Sequence, residues 1–344
     1  MKVVSFFQLK EVRWAIAPQD LAAIRAELPQ VEIVSVEDEA DLPAALADAD
    51  AFVGWTFPAT CFAGAKRLRW IHTANAGVEA NLFPEMVASD VILTNAAGLH
   101  SVSIPEHVLG LMLALARNFH EAARIQARAS WDRFGVIAYA GGIKELSGSN
   151  LAILGAGAIG AALARLGAAL DMRVRVLRRR PDRPVSGAEA VVGPEQKLEL
   201  LRWADFVVLA TPLTAETENL IDREALAAMR ASAYLINVAR GEVIDDAALV
   251  EALERGAIAG AGLDAFREEP LPASSPYWSL PSCIVTPHVS GYTPKYFEHT
   301  LALFRDNLRR FVAGERLRNV VDKRLGYVTE GVAASVGASR GRDR

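Results

Sequence analysis

The chain has 344 residues, of which 23% are charged and 51% hydrophobic, with a formal net charge of -4. That length accommodates two cores, the balance fits an ordinary globular interior, and the small negative charge excludes a broad basic field for nucleic acid. Two cysteines, Cys61 and Cys283, exclude a disulfide framework and a cysteine metal site; they suit two buried thiols in a reducing cytoplasm, with no metal.

The start, "MKVVSFFQLKEVRW", reads as a strand followed by charges and lacks the apolar core of a signal peptide. Strand-like runs follow at Val3–Phe7, Val31–Val36, Ala51–Trp55, Trp70–Thr73 and Val91–Thr94, with helical stretches such as Pro18–Leu28 and Asp41–Ala47 between them. Strands alternating with helices predict a parallel sheet covered on both faces. Next, "SIPEHVLGLMLALARNFHEAARIQA" places Pro105 at a first helical position. Its apolar spacing then runs for about six turns, which predicts one long helix crossing between domains. The alternation resumes with strands at Leu151–Leu154, Arg173–Leu177, Phe206–Ala210, Ala233–Val238, Ile258–Leu263 and Ile284–Thr286. Leu151–Leu170 is the most membrane-like segment, but its glycines and Arg165 argue against a span. Pro294–Gly314 reads as a helix returning to the first domain, and residues 326–344 as a loose tail. No internal repeat of roughly 20–50 residues is visible.

"LAILGAGAIGAALARLGAAL" sets Gly155, Gly157 and Gly160 in a G-x-G-x-x-G pattern between a strand and a helix. Gly155 permits a tight turn, Gly157 lets the backbone approach a pyrophosphate, and Gly160 lets the helix pack on the strand. The helix N-terminus then offers unpaired N–H groups to phosphate. The next strand, in "MRVRVLRRRP", ends at Arg178, followed by Arg179 and Arg180. An NAD site usually carries an acid there for the ribose 2′-OH. Guanidinium groups instead attract a 2′-phosphate, so NADP is favoured over NAD.

Three segments then place charged groups beyond predicted strand ends. "INVARGEVID" puts Arg240 past Val238, "GLDAFREEPLP" supplies Asp264 and Glu269, and "TPHVSG" supplies His288. In an open α/β sheet, ligands bind at that carboxyl edge. A histidine titrates near neutrality and suits proton transfer, a carboxylate neighbour raises its pKa, and a guanidinium can clamp a carboxylate.

Together with "WIHTANAGVEAN", "GAGAIG" and "ATPLTAETENLI", these segments resemble the D-isomer-specific 2-hydroxyacid dehydrogenase family from about Trp70 to Thr293. The resemblance implies an α/β fold: a Rossmann-type doubly wound parallel sheet domain plus a smaller flavodoxin-like α/β substrate domain. The boundaries expected are residues 1–100 and 290–325 for the substrate domain and 101–289 for the nucleotide domain. It also implies Arg240, Glu269 and His288 as the catalytic set, with Glu269 chosen over Glu268 because it precedes Pro270. Asp264 would lie near the nicotinamide carboxamide. Ala158, Ile159, Thr211, Pro212, Val238 and Ala239 would complete the cofactor site. Ala76 and Gly77, in the loop Asn75–Val78, would hold the substrate carboxylate through their N–H groups, beside Arg240 and His288.

Two departures stand out. Glu79 replaces the family's Asp and is expected to loosen that loop, and Asp171-Met172 stands where glycine is common, an effect expected on packing alone. His72, His100 and His107 read as hinge or loop residues, and Trp55 and Tyr292 as pocket-lining or packing residues. The activity implied is hydride transfer between NAD(P)H and a small 2-oxo acid, of the glyoxylate or hydroxypyruvate kind, in a cytoplasmic homodimer that uses the long helix. A dinucleotide-sensing corepressor of the same fold is the alternative, opposed by the absent ribose acid and the lack of a long disordered extension. Formate or phosphonate oxidation is a third reading, which the acid–base pair and the carboxylate clamp suit less well.

Overall fold

The computed structural model describes residues 1–8, 13–139 and 142–329. Most of the expected tail therefore lies outside the described residues. Contacts divide the chain into two compact units, Met1–Leu99 with Thr293–Arg344, and His100–Tyr292.

In chain order the elements of the first unit begin with β1 (Lys2–Gln8), β2 (Arg13–Trp14), α1 (Pro18–Glu27), β3 (Glu32–Ser35), α2 (Leu42–Leu46) and β4 (Ala51–Gly54). They continue with α3 (Ala59–Phe62), β5 (Trp70–Thr73), α4 (Pro84–Ala88) and β6 (Ile92–Thr94). The second unit holds α5 (Ser103–Ala116), α6 (Phe119–Ala127), α7 (Arg133–Ala138), β7 (Asn150–Leu154), α8 (Ala158–Ala169), β8 (Arg173–Leu177) and β9 (Ala190–Val192). It closes with α9 (Lys197–Trp203), β10 (Phe206–Leu209), α10 (Arg223–Ala228), β11 (Tyr234–Asn237), α11 (Asp246–Glu254), β12 (Gly260–Leu263) and β13 (Cys283–Val285). The last helix, α12 (Tyr296–Ala313), belongs to the first unit.

In the first unit the parallel order is β3-β1-β4-β5-β6, with β2 antiparallel to the end of β1. This is the flavodoxin-type order. Alternate residues pack opposite faces: Val4, Phe6, Phe52 and Ile71 join α2, while Val3, Phe7, Val53 and Trp70 join α1 and α12. Burial on both faces is why these strands read as near-continuous apolar runs. His72 lies wholly inside this core, where burial pushes its pKa down to about 3, so it is a neutral packing residue.

The second unit's sheet is parallel throughout, in the order β9-β8-β7-β10-β11-β12-β13. This is the Rossmann-type doubly wound order, which reverses between β7 and β10. Ala152, Leu154, Val207, Leu209 and Leu235 pack on α9, α10 and α11. Leu151, Ile153, Phe206, Val208 and Ile236 pack on α5 and α8. Both cysteines are buried and free. No helix among the described residues is long and apolar enough to cross a membrane.

Four expectations need correction. The long helix is two, α5 and α6, broken at Asn118, which is fully buried at φ 53. Its Nδ2 donates to the carbonyls of Val136 at 2.9 Å and Tyr139 at 3.0 Å, so a tertiary contact ends the helix where apolar spacing continues. Nor does α5 cross between domains, because it lies wholly in the second unit. Pro105 is the third helical residue rather than the first; the N–H it lacks is still among the four a helix start leaves unpaired. The sheet also gains β9, a three-residue edge strand too short to show alternation.

The fourth correction concerns Asp171, whose effect is on the backbone rather than on packing. It adopts φ 57 just after α8. Its N–H donates to Ala168 O at 3.1 Å and that of Met172 to Gly167 O at 3.0 Å. This is a Schellman ending, which puts a left-handed residue where glycine fits without a Cβ penalty. Asp171→Gly is expected to raise stability by roughly 0.5–1 kcal/mol. A higher urea midpoint at unchanged slope is the check, and a lower midpoint would contradict it.

Candidate active site

The glycine turn joins β7 to α8 at the point where the strand order reverses. Gly155 has φ 113, and a Cβ there would lie 2.4 Å from the Ala210 carbonyl oxygen, so only glycine fits. Gly160 has no room either, since its Cβ would meet Gly155 O at 1.9 Å. It is the turn itself, more than the strand, that Gly160 allows the helix to approach. Gly157 is different: nothing lies within 4 Å of the Cβ position. It is the N-cap of α8 and offers no side chain to the helix N–H groups. Ala158, Ile159 and Gly160 follow as the first helical residues, whose N–H groups a helix start leaves without intrahelical partners, and the residues present fit a pyrophosphate.

The other expected cofactor residues fall at neighbouring strand ends. Arg178 directly follows β8, half-buried, with a long hydrogen bond of 3.4 Å from Nη1 to Arg183 O. Arg179 is exposed and 4.0 Å from Glu216. Thr211 and Pro212 follow β10 beside the glycine turn, since Thr211 N is 2.9 Å from the Cβ position of Gly155. Val238 and Ala239 follow β11 and are buried.

Beyond β11 the chain turns to present Arg240. Asn237, fully buried, holds that turn: its Nδ2 donates to Arg240 O at 2.9 Å and its Oδ1 accepts from Ala239 N at 3.0 Å. Gly241 follows because a Cβ would strike the Phe266 carbonyl carbon at 1.9 Å. The Arg240 turn thus lies against the segment that leads to Glu269. There, Glu269 Oε1 accepts from Phe266 N at 2.9 Å, and Oε2 meets His288 Nδ1 at 2.7 Å. Arg240, Glu269 and His288, far apart in sequence, are electrostatic neighbours in one place. The neighbouring Glu268 takes no part in the His288 bond.

The bond to Glu269 raises the His288 pKa, against burial and against the Arg240 guanidinium. Burial alone would raise the Glu269 carboxyl, yet the bonds from His288 and Phe266 N, with the Arg240 charge, hold it below its ordinary value. The His288 side chain stays 47% exposed and that of Glu269 36%, so the pair can be reached by a substrate. With Nδ1 turned to a carboxylate, Nε2 is the atom left to exchange a proton.

Asp264 has a further role that sequence reasoning missed. It is 1% exposed, and its oxygens accept from Thr286 Oγ1 at 2.6 Å, Val289 N at 3.0 Å and Ser290 N at 3.0 Å. Its carboxylate therefore shapes the loop that carries His288. His107 reaches the same point, with Nε2 3.1 Å from Thr286 Oγ1. Asn237 and His107 were also missed as supports. A polar residue on a buried strand end was the one signal available for Asn237.

Ala76 and Gly77 lie in the first unit, after β5. That loop is anchored through its carbonyls: Tyr296 Oη donates to Ala74 O, Ala96 N to Asn75 O at 2.9 Å, and Asn95 Nδ2 to Ala76 O at 2.5 Å. Asn75 Nδ2 and Thr73 Oγ1 both donate to Trp55 O, at 2.8 and 2.5 Å. Trp55 is buried and stacked on Tyr296 at 6.1 Å, so packing accounts for it, while Tyr292 is 61% exposed.

A family model described as D-isomer specific 2-hydroxyacid dehydrogenase, NAD binding domain, matches residues 109–290. The chain is 32% identical over 309 residues to a D-3-phosphoglycerate dehydrogenase of Methanocaldococcus jannaschii, across 88% of this chain and 57% of that protein. It is 36% identical over 276 residues to glyoxylate/hydroxypyruvate reductase B of Pectobacterium carotovorum subsp. carotovorum, across 76% of this chain and 81% of the relative. The structure of a D-isomer specific 2-hydroxyacid dehydrogenase from Xanthobacter autotrophicus Py2, in complex with NADPH and MES, matches with a TM-score of 0.79 at 29% identity, covering 94% of this chain and 99% of that one.

Proposed function

We infer, from the premise that the chain belongs to the D-isomer-specific 2-hydroxyacid dehydrogenase family, that Arg240, Glu269 and His288 carry out its reaction on a small 2-oxo acid of the glyoxylate or hydroxypyruvate kind. The chain is an NAD(P)-dependent oxidoreductase of D-2-hydroxy acids. The observation that carries the residue assignment is the 2.7 Å bond from His288 Nδ1 to Glu269 Oε2 beside Arg240.

The dinucleotide is held by the turn Gly155–Gly160, with Arg178 and Arg179 at the ribose and Thr211, Pro212, Val238, Ala239 and Asp264 along the remaining strand ends. When bound, its nicotinamide ring supplies the hydride for the carbonyl carbon, or takes it back in oxidation. His288 holds the proton on Nε2 and gives it to the carbonyl oxygen; in the other direction the neutral ring accepts the hydroxyl proton. Glu269 fixes the ring and favours the imidazolium. Arg240 pairs with the substrate carboxylate and draws electron density from the carbonyl.

We favour NADP over NAD because two guanidinium groups stand where an acid would repel a 2′-phosphate. NADPH is expected to exceed NADH in kcat/KM, and Arg178→Ser with Arg179→Ser to cut the NADPH value by roughly 10- to 100-fold while sparing NADH. An NADH preference in the unsubstituted enzyme would defeat this. The functional reading is tested by following NADPH oxidation with glyoxylate, hydroxypyruvate, pyruvate and longer 2-oxo acids; turnover of none would contradict it. We also assign a homodimer through the α5–α7 region, supported by Phe119, Trp131 and Phe134 at 58%, 89% and 77% exposure. Two free buried thiols support a cytoplasmic location.

A further inference from the structure

The loop that carries His288 is held at its middle by Asp264, but its far end runs directly into the chain's exit from the second unit at Tyr292. A loop that ends at an exit needs its own fastening, and His288 adds to the need. At φ 50 it occupies a backbone region that a residue with a side chain keeps only when its surroundings enforce it. Two contacts lie there. Tyr292 N donates to Val289 O at 2.9 Å, closing a turn. The Gly291 carbonyl, in turn, faces His100 Nδ1 at 3.2 Å and Ser103 Oγ at 3.4 Å. The match is close, since a Cβ on Gly291 would sit 3.0 Å from the His100 ring. Because His100 is the first residue of the unit, the contact joins the unit's first residue to its second-last.

A carbonyl only accepts, so His100 carries its proton on Nδ1. Burial, together with the Arg240 and His288 charges, pushes its pKa down to about 4. The ring is therefore neutral at working pH and adds no cation beside His288, which already faces Glu269, Arg240 and Asp264.

We propose that His100 is a positioning residue whose Nδ1–H, bonded to the Gly291 carbonyl, fixes the end of the loop and thereby the seating of His288 on Glu269. This rests on the reading of His288 as the proton carrier. Asparagine sets an amide N–H near the Nδ1 position, glutamine sets it near Nε2, and leucine fills the space with no donor. The three variants therefore separate the hydrogen bond from packing. His288 is titrated by NMR, its signal assigned through its loss in His288→Gln, and kcat and KM are measured with NADPH and glyoxylate alongside the unfolding midpoint.

His100→Leu and His100→Gln are expected to lower kcat roughly five- to twentyfold, with the KM for NADPH unchanged and the His288 pKa moved down toward the ordinary imidazole value. His100→Asn is expected to restore both readouts to within about twofold of the unsubstituted enzyme. Unchanged His288 titration and kcat in His100→Gln would overturn the proposal, as would an asparagine variant as impaired as the glutamine one. Because that contrast uses two amides, it stands even where the leucine variant does not fold. The titration reads the clamp without turnover, so its failure is separable from an active His288→Gln enzyme, which would instead remove the proton-carrier reading.

Discussion

His288→Gln lowers kcat for 2-oxo-acid reduction by roughly 10²- to 10⁴-fold, the usual contribution of a positioned general acid. The glutamine amide can still bond to Glu269 but has no proton to give at catalytic pKa. Because the side chain is about half exposed, the unfolding midpoint should barely move. The pH profile carries the same information with a sign. The imidazolium is the active form in reduction, so kcat/KM is fully expressed below the His288 pKa and is lost as pH rises through it. Glu269 raises that pKa. Glu269→Gln therefore moves the decline to lower pH, and moves the rise of the oxidation rate to lower pH as well. A decline that stays in place, or shifts upward, would mean that the short bond between the two side chains does not govern the proton.

Arg240→Ala is expected to lower kcat/KM by about 10³-fold or more, because it removes a charge-assisted clamp that strengthens as the carbonyl oxygen gains charge. Arg240→Lys should recover little, since an ammonium cannot form the planar two-point contact. The substitution has a second consequence that separates it from a general loss of structure. The Arg240 charge lowers the His288 pKa and helps keep Glu269 ionised. Removing it should raise the His288 pKa, opposite in direction to the Glu269→Gln shift. Titration of His288 in the two variants, one moving down and the other up, is the check; shifts of the same sign would argue that the three groups do not form one electrostatic unit.

The sequence carried the parts of this site that depend on strand ends. Every strand of the second sheet except β9 was visible, β7, β10 and β11 as apolar runs because a sheet covered on both faces buries successive residues, and β8 as the alternation RVRVL with Arg173 exposed. Once those ends were placed, Arg240, Glu269 and His288 fell on one edge, and the resemblance to the family, which sets its acid directly before the proline, chose Glu269 over Glu268. What stayed hidden depends on tertiary partners. Nothing in "LARNFHEAARI" breaks the helical spacing at Asn118; the break comes from the Val136 and Tyr139 carbonyls that its side chain reaches. Asn237 looks like any polar residue at a strand end until its two bonds to the Arg240 turn are seen. His72, His100 and His107 read alike in sequence, yet the first is core and the other two underlie the His288 loop. Arg178 and Arg179 were legible as charges, but their neighbours, Arg183 O and Glu216, were not.

The most direct measurement is a crystal structure of the enzyme with NADP⁺ and oxamate, a nonreacting 2-oxo-acid mimic. The account predicts the oxamate carbonyl oxygen within about 3 Å of His288 Nε2, its carboxylate on Arg240, and Nδ1 still on Glu269. Oxamate bound with its carbonyl turned away from His288, or a His288 ring released from Glu269, would contradict it.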